Sequence, residues 1–187
     1  TVAKVNVAGE LLVIKRYNAK SMLKRVVRRF KSRARNSWVN QAYLQLLSVS
    51  TPEALCFLST HRGGVVDKEY YVCRHVSGEM LPDLCANHET REGVLKQMVG
   101  FFLLMQIAGF SHGDSKYTNF IFRDGSLYVI DLDGMRRHVR FGLHSSLAAQ
   151  RARLFESWHG REELAKIAKD EFDEYYRIGL DKVADWL

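Results

Sequence analysis

Apolar and polar residues alternate from Val2 to Val7, the period-two pattern of a half-buried strand. Ala8-Gly9-Glu10 reads as a short turn, and Leu11-Leu12-Val13-Ile14 is a compact apolar run ending in Lys15-Arg16. Together they predict a β-hairpin. The period then lengthens. Met22, Leu23, Val26, Val27 and Phe30 recur at helical spacing, which predicts an amphipathic helix over 21–30 with Lys24, Arg25, Arg28 and Arg29 on its other face. A further helix is predicted over 37–47, with Trp38, Ala42 and Leu46 on one stripe and Tyr43 and Leu47 beside it. Pro52 closes that region. Strands are predicted over 54–58 and 70–76, joined by a loop containing Gly63-Gly64.

The pattern changes after Val76. Ser77-Gly78-Glu79 reads as a turn or hinge, and the chain beyond it is more acidic and more helical. A long helix is predicted over 90–107, with Val94, Leu95, Met98, Phe102 and Met105 on its buried face. Phe120-Ile121-Phe122 and Leu127-Tyr128-Val129-Ile130 flank Arg123-Asp124-Gly125-Ser126, a strong hairpin signal. From Ser145 onward the chain is helical and amphipathic. The expected class is α+β: a small antiparallel-sheet lobe over 1–76 and a helical lobe over 77–187.

Composition narrows the picture. The chain has 187 residues, enough for one ordinary domain or two small lobes. Three cysteines with no C-x-x-C pair argue against a disulfide framework or a cysteine zinc site, and fit a reducing compartment. The most apolar stretch, 99–110, is too short for the roughly 20 residues a membrane span needs. No signal region opens the chain, and the lack of an initiator methionine suggests that it begins inside a longer one.

The net charge of +7 is uneven. Ten cations lie between Lys15 and Arg35, and no Asp or Glu occurs from Leu11 through Pro52. The rest of the chain is slightly acidic. A basic amphipathic helix suits an anionic membrane surface or a polyanionic substrate, and equally an ordinary solvated face. Nucleic acid is not expected, because no zinc finger, RNA-recognition signature or aromatic–basic interleaving accompanies the charge.

The stretch that carries chemistry is His112-Gly113-Asp114-Ser115-Lys116-Tyr117-Thr118-Asn119, followed by Val129-Ile130-Asp131-Leu132-Asp133-Gly134. A long helix ends at Gly109, and a polar loop bearing one Asp, one Lys and one Asn follows. A hairpin then presents a second Asp at the end of an apolar strand. Two carboxylates and an amide can hold a hard divalent cation through oxygen, and a lysine two residues after the first Asp can neutralise a phosphate. Taken singly, Asp114 and Asn119 would be ordinary turn caps and Asp131 an ordinary strand end. The remaining histidines are scattered without metal-ligand spacing.

H-x-D-x-x-x-x-N, then an Asp after an apolar strand, resembles the kinase catalytic loop and its metal-binding Asp. Four stretches together look like the bacterial lipopolysaccharide kinase family, which includes the kinases of inner-core heptose and Kdo. They are residues 12–18, 32–38, 112–120 and 130–136, and the resemblance spans most of the chain from Val2 to about Trp158. It implies a two-lobed protein-kinase-like fold, ATP with Mg2+, and phosphorylation of a sugar hydroxyl on a lipid-linked acceptor. Asp114 would accept or orient the proton of that hydroxyl, and Lys116 would face the transferred phosphoryl group. Asn119 and Asp131 would hold magnesium, and Lys15 would contact the α- and β-phosphates. His112 would support the loop backbone, and Asp133 would have a supporting role.

Two departures stand out. Kinases usually pair the strand lysine with a glutamate on the following helix. Here Ser37 or Asn40 occupies that region. No Gly-rich loop precedes Val2; in the family's order it would come before the first visible strand. A non-catalytic kinase-like binding module, or a kinase of a protein or another small molecule, stays open beside the sugar kinase. The expected partners are an anionic lipopolysaccharide core precursor and, through the basic segment 21–35, the cytoplasmic face of the inner membrane. The expected location is therefore cytoplasmic, peripheral to that membrane.

Overall fold

A computed structural model describes residues 1–18, 32–138 and 142–184. The basic helix expected over 21–30 lies outside the described residues. The chain forms two compact units: one of Thr1–Val76 with Asp131–Met135, the other of Ser77–Ile130 with Arg136–Leu187.

The first unit is a four-stranded antiparallel sheet with one described helix. Strands β1 (Val2–Val7), β2 (Glu10–Asn18), β3 (Ala54–Arg62) and β4 (Val65–Arg74) are ordered β1-β2-β4-β3. Each hairpin turns on two residues with positive φ: Ala8-Gly9 between β1 and β2, Gly63-Gly64 between β3 and β4. Such turns match the right-handed twist of the flanking strands, so both hairpins are tight and their strands run longer than the apolar runs suggest. On β4 the buried residues are Val66, then Glu69, Tyr71 and Cys73. The parity breaks because the register shifts between Thr60 and His61, Thr60 lying opposite Lys68 and His61 opposite Val66, which swaps the faces.

Helix α1 (Arg33–Leu46) starts four residues before the predicted 37–47. Ser32 caps it, its side chain accepting the Arg35 N–H. The predicted stripe is the wrong face: Ala42 and Leu46 are exposed, and Leu46 is 81% so. The buried side is Ala34, Ser37, Asn40, Gln41 and Leu44. Ala34 joins Tyr17, Tyr71 and Cys73 in a small core, with Val13, Trp38 and Ala54 against it. Most of that helix face is polar, for reasons the site makes plain.

The second unit is largely helical. Helices α2 (Leu81–Ala86), α3 (His88–Ala108), α4 (Leu143–Glu156) and α5 (Glu162–Ala184) surround a core of stacked rings. All five residues predicted for the buried face of the long helix are buried, joined by Val99 and Phe101. Phe102 meets Phe172 edge-on at 5.8 Å, and Phe172 meets Phe155 at 5.4 Å. Asn87 caps α3 through its side chain, and Gly109, with φ 74°, ends it in the left-handed conformation. Short strands β5 (Glu79–Met80), β7 (Phe120–Arg123) and β8 (Ser126–Val129) form one sheet, and β6 (Phe110–Ser111) pairs with β9 (Arg136–Arg137). The β7–β8 turn is Asp124-Gly125, both with positive φ. No described helix is long and apolar enough to cross a membrane.

Candidate functional site

In the first unit, strand β2 presents Lys15 beside the short segment Asp131–Met135. Lys15 Nζ donates to Asp131 Oδ1 at 2.8 Å. Two neighbouring residues, Thr1 and Val2, with Tyr17, Arg33 and Asp133, help line a cleft of about 390 Å³ around this pair. Asp131 has φ 61° and ψ 55°, a left-handed backbone that costs an ordinary residue roughly 1–2 kcal/mol. Three contacts hold it there. The first is the Lys15 pair. The second is an ion pair of Arg33 with Asp133. The third is Asn40, whose amide donates to the Leu132 carbonyl at 2.8 Å and to the Met135 carbonyl at 3.0 Å.

Electrostatics follow from the packing. Burial raises the Asp133 carboxyl above the usual carboxylate range, and the Asp131 charge adds to the rise; Arg33 and Lys15 oppose it. Burial likewise raises the Tyr17 phenol, helped by Asp133. Tyr17 lies within reach of Ser37 Oγ at 3.3 Å, and the Arg33 guanidinium stacks 4.8 Å over its ring. The glutamate absent from α1 therefore leaves Lys15 with an acid all the same, supplied by Asp131. Of the cations read as a surface feature, Lys15 and Arg33 face acids of their own unit.

In the second unit, the loop 112–119 is built around main-chain hydrogen bonds. His112 is buried; its Nε2 donates to the Ile130 carbonyl at 2.9 Å, and its Nδ1 accepts the Asp114 N–H at 3.4 Å. That pair of contacts selects the Nε2–H tautomer. Gln150 of α4 accepts the His112 N–H at 3.0 Å and the Ser115 hydroxyl at 3.1 Å. Asn119 gives its amide to the Asp114 carbonyl at 2.8 Å, and Ile130 N–H returns to the Asn119 carbonyl at 3.0 Å. The loop is thus closed from both ends, and the Asn119 amide oxygen points away from the bond its nitrogen makes.

Asp114 stands at the middle. Arg153 Nε lies 3.0 Å from its Oδ1 and Lys116 Nζ lies 3.7 Å from its Oδ2. Oδ1 is shielded from solvent, yet among the described residues no aligned hydrogen bond reaches it. Arg153 meets the charge of Oδ1, and an aligned donor such as a hydroxyl would add a hydrogen bond to it.

The structure thus brings Lys15 to Asp131 in one unit, and Asp114, Lys116 and Asn119 together in the other. Three contributors had no motif to announce them: Gln150, Arg153, and Ser157, whose Oγ accepts the Tyr117 N–H at 3.2 Å, while Arg33 lies in the stretch 32–38 without a role of its own there. Asn40 was noted only as occupying the place of a missing acid. A polar residue on the buried side of a helix was the available signal for both Asn40 and Gln150.

No protein-family model matches the chain, and no curated protein does. Among solved structures, the chain is similar to one described as WaaP in complex with acyl carrier protein. The identity is 16%, the TM-score 0.64, and the match covers 94% of this chain and 73% of that one. At this identity the likeness shows the fold. It is a kinase-like, two-lobed α+β fold with a small antiparallel sheet and a helical part, as the sequence led us to expect.

Proposed function

We propose that the chain is an ATP-dependent phosphotransferase that phosphorylates a sugar hydroxyl, of heptose or Kdo, on the inner core of lipopolysaccharide. The observation that carries this reading is Asp114: a shielded carboxylate oxygen with no aligned donor, on a loop locked by His112, Gln150 and Asn119. Such a group suits an alcohol acceptor. It takes the hydroxyl proton as the oxygen bonds to the γ-phosphorus of ATP. The bond from that phosphorus to the bridging oxygen of the β-phosphate breaks, and ADP leaves.

The residues present fit the cofactors. Asp131 offers a carboxylate, and Asn119, with its nitrogen committed to the Asp114 carbonyl, offers an amide oxygen. Mg2+ favours oxygen ligands and binds through one or two carboxylates together with substrate phosphates. When bound, it would neutralise the developing phosphate charge. Lys15 would contact the α- and β-phosphates, and Lys116 the transferred group. The kinase-like fold, shared with the neighbour WaaP, supports the class of reaction. The ten cations of 15–35 support an anionic acceptor presented at the inner-membrane surface.

The test is Mg2+-dependent ADP release with purified core oligosaccharide, comparing wild type with Asp114→Asn. We expect a loss of about 10²–10⁴-fold, the usual worth of a positioned proton acceptor. Equal turnover in both proteins, or none in wild type, refutes the reading. Mass spectrometry of the product should show one added phosphate on the acceptor.

A further inference from the structure

Beside Asp114 lies a recess of about 420 Å³, lined by Lys116, Ala149, Arg153, Glu156, Ser157 and His159. Its size falls within the usual range of small-molecule sites. We infer that this recess seats an anionic substituent of the acceptor, a phosphate or carboxylate, on Arg153, with the Lys116 ammonium shared between that substituent and the transferred phosphoryl group, and that its arrival draws Arg153 off Asp114. The inference rests on the phosphotransferase reading and adds to it the chemistry of the acceptor.

Four observations carry it. Among the described residues Arg153 meets Asp114 through Nε, which leaves its remaining guanidinium N–H groups for the recess it lines. Their planar fork matches an oxyanion in two places at once. Lys116 is 3.7 Å from Asp114, too far for a hydrogen bond, and its side chain is 48% exposed. Its ammonium donors are therefore not satisfied by that contact. Next, the recess wall is fixed to the Asp114 loop. Gln150, one helical turn before Arg153, and Ser157, one turn after it, each bind loop groups. The guanidinium can turn while the helix that carries it stays in place.

The fourth observation concerns Asp114 itself. As an acceptor of a hydroxyl proton it must present Oδ1 to the substrate, but Arg153 stands against that oxygen. A neutral sugar offers Arg153 nothing to replace the carboxylate. An anion does, and leaves Oδ1 to the incoming hydroxyl. Glu156 in the same lining opposes any anion placed on its side, which directs the charge toward Arg153 and Lys116 and leaves Glu156 to accept sugar hydroxyls.

The experiment follows the Arg153 Nε–H resonance of the whole chain by NMR while inorganic phosphate, or separately acetate, is added at constant ionic strength. Wild type is compared with Arg153→Met in binding, and with Ala149→Trp, which fills the recess from an exposed position without altering a charge. We expect a saturable shift of the Arg153 signal in wild type. We also expect at least tenfold weaker phosphate binding in both variants. Response to phosphate alone assigns a phosphorylated acceptor; response to both probes admits a carboxylate. No shift, or equal affinity in all three proteins, overturns the inference. Core-dependent ATP turnover without an Arg153 response overturns the recess alone, whereas an Arg153 response without turnover overturns the phosphotransfer and leaves the anion site.

Discussion

Replacing Asn40 by alanine removes the amide that donates to two carbonyls; the Leu132 carbonyl keeps the Met135 N–H at 3.2 Å, and the Met135 carbonyl loses the Asn40 donor. Asn40, Leu132 and Met135 are all at least nine-tenths buried, so water does not freely take its place. A buried acceptor that loses its donor costs about 1–3 kcal/mol. With the Leu132 carbonyl still served by the Met135 N–H, the loss comes to about 1–3 kcal/mol, a large share of a typical domain's stability. The isosteric Asn40→Asp variant separates hydrogen bonding from packing. It keeps the shape, offers no donor in its ionised form, and sets a negative charge against two carbonyl oxygens. It should be at least as destabilised as Asn40→Ala. Urea unfolding of the first unit's signals reads the stability, and hydrogen exchange of residues 131–135 reads whether the loss is local. A cost below about 0.5 kcal/mol for both variants, with unchanged exchange, would show that Asn40 does not hold the Asp131 segment.

Asp133 and Gly78 give two further expectations. Asp133 has a raised carboxyl when folded, so the folded state binds its proton more readily than the unfolded one. Its contribution therefore makes the fold more stable as pH falls from the raised value toward the ordinary carboxylate value, and less stable as pH rises through that window. Subtracting the urea-unfolding profile of Asp133→Asn from that of wild type between pH 4 and 7 should expose that slope; a difference flat with pH contradicts it. At Gly78 an added Cβ would stand 2.2 Å from the Phe122 carbonyl oxygen and 2.7 Å from the Ile121 side chain. Gly78→Ala should push β5 off β7 and lower the melting temperature, while Gly93→Ala, on an open helix face, should not. Equal melting temperatures for the two variants would contradict the close approach.

What could be read from the residues was whatever repeats locally. The 120–129 hairpin announced itself through Asp124-Gly125 because a two-residue turn restricts the residues that fit it, whereas Gly63-Gly64 read only as part of a longer loop. The long helix announced its buried stripe because its neighbours are rings, and ring packing follows apolar periodicity. Helix α1 misled for the opposite reason. It is buried through Ser37, Asn40 and Gln41, and hydrogen bonds to Tyr17 and to carbonyls some ninety residues away make the burial of Ser37 and Asn40 possible. A search for apolar stripes assigns such residues to solvent, and so it chose Ala42 and Leu46 instead.

The same contrast separates the motif residues from the side chains that support them. Asp114, Lys116 and Asn119 lie within six residues of one another, and their spacing alone suggests a shared task. Arg33, Asn40, Gln150 and Arg153 do not repeat, and their partners are main-chain groups or acids far along the chain. The absence of acids between Leu11 and Pro52 then acquires a different meaning from the one charge density suggests. An acid placed at position 40 of α1 would face the Leu132 and Met135 carbonyls, with no proton to give either. An amide there binds both and steadies the turn that holds Asp131 against Lys15. The lysine's partner thus comes from the segment 131–135, and the helix contributes by holding that segment in place. Lys15→Met should therefore disturb Asp131 as well as the cleft, and faster hydrogen exchange at 131–135 in that variant is the outcome this argument requires.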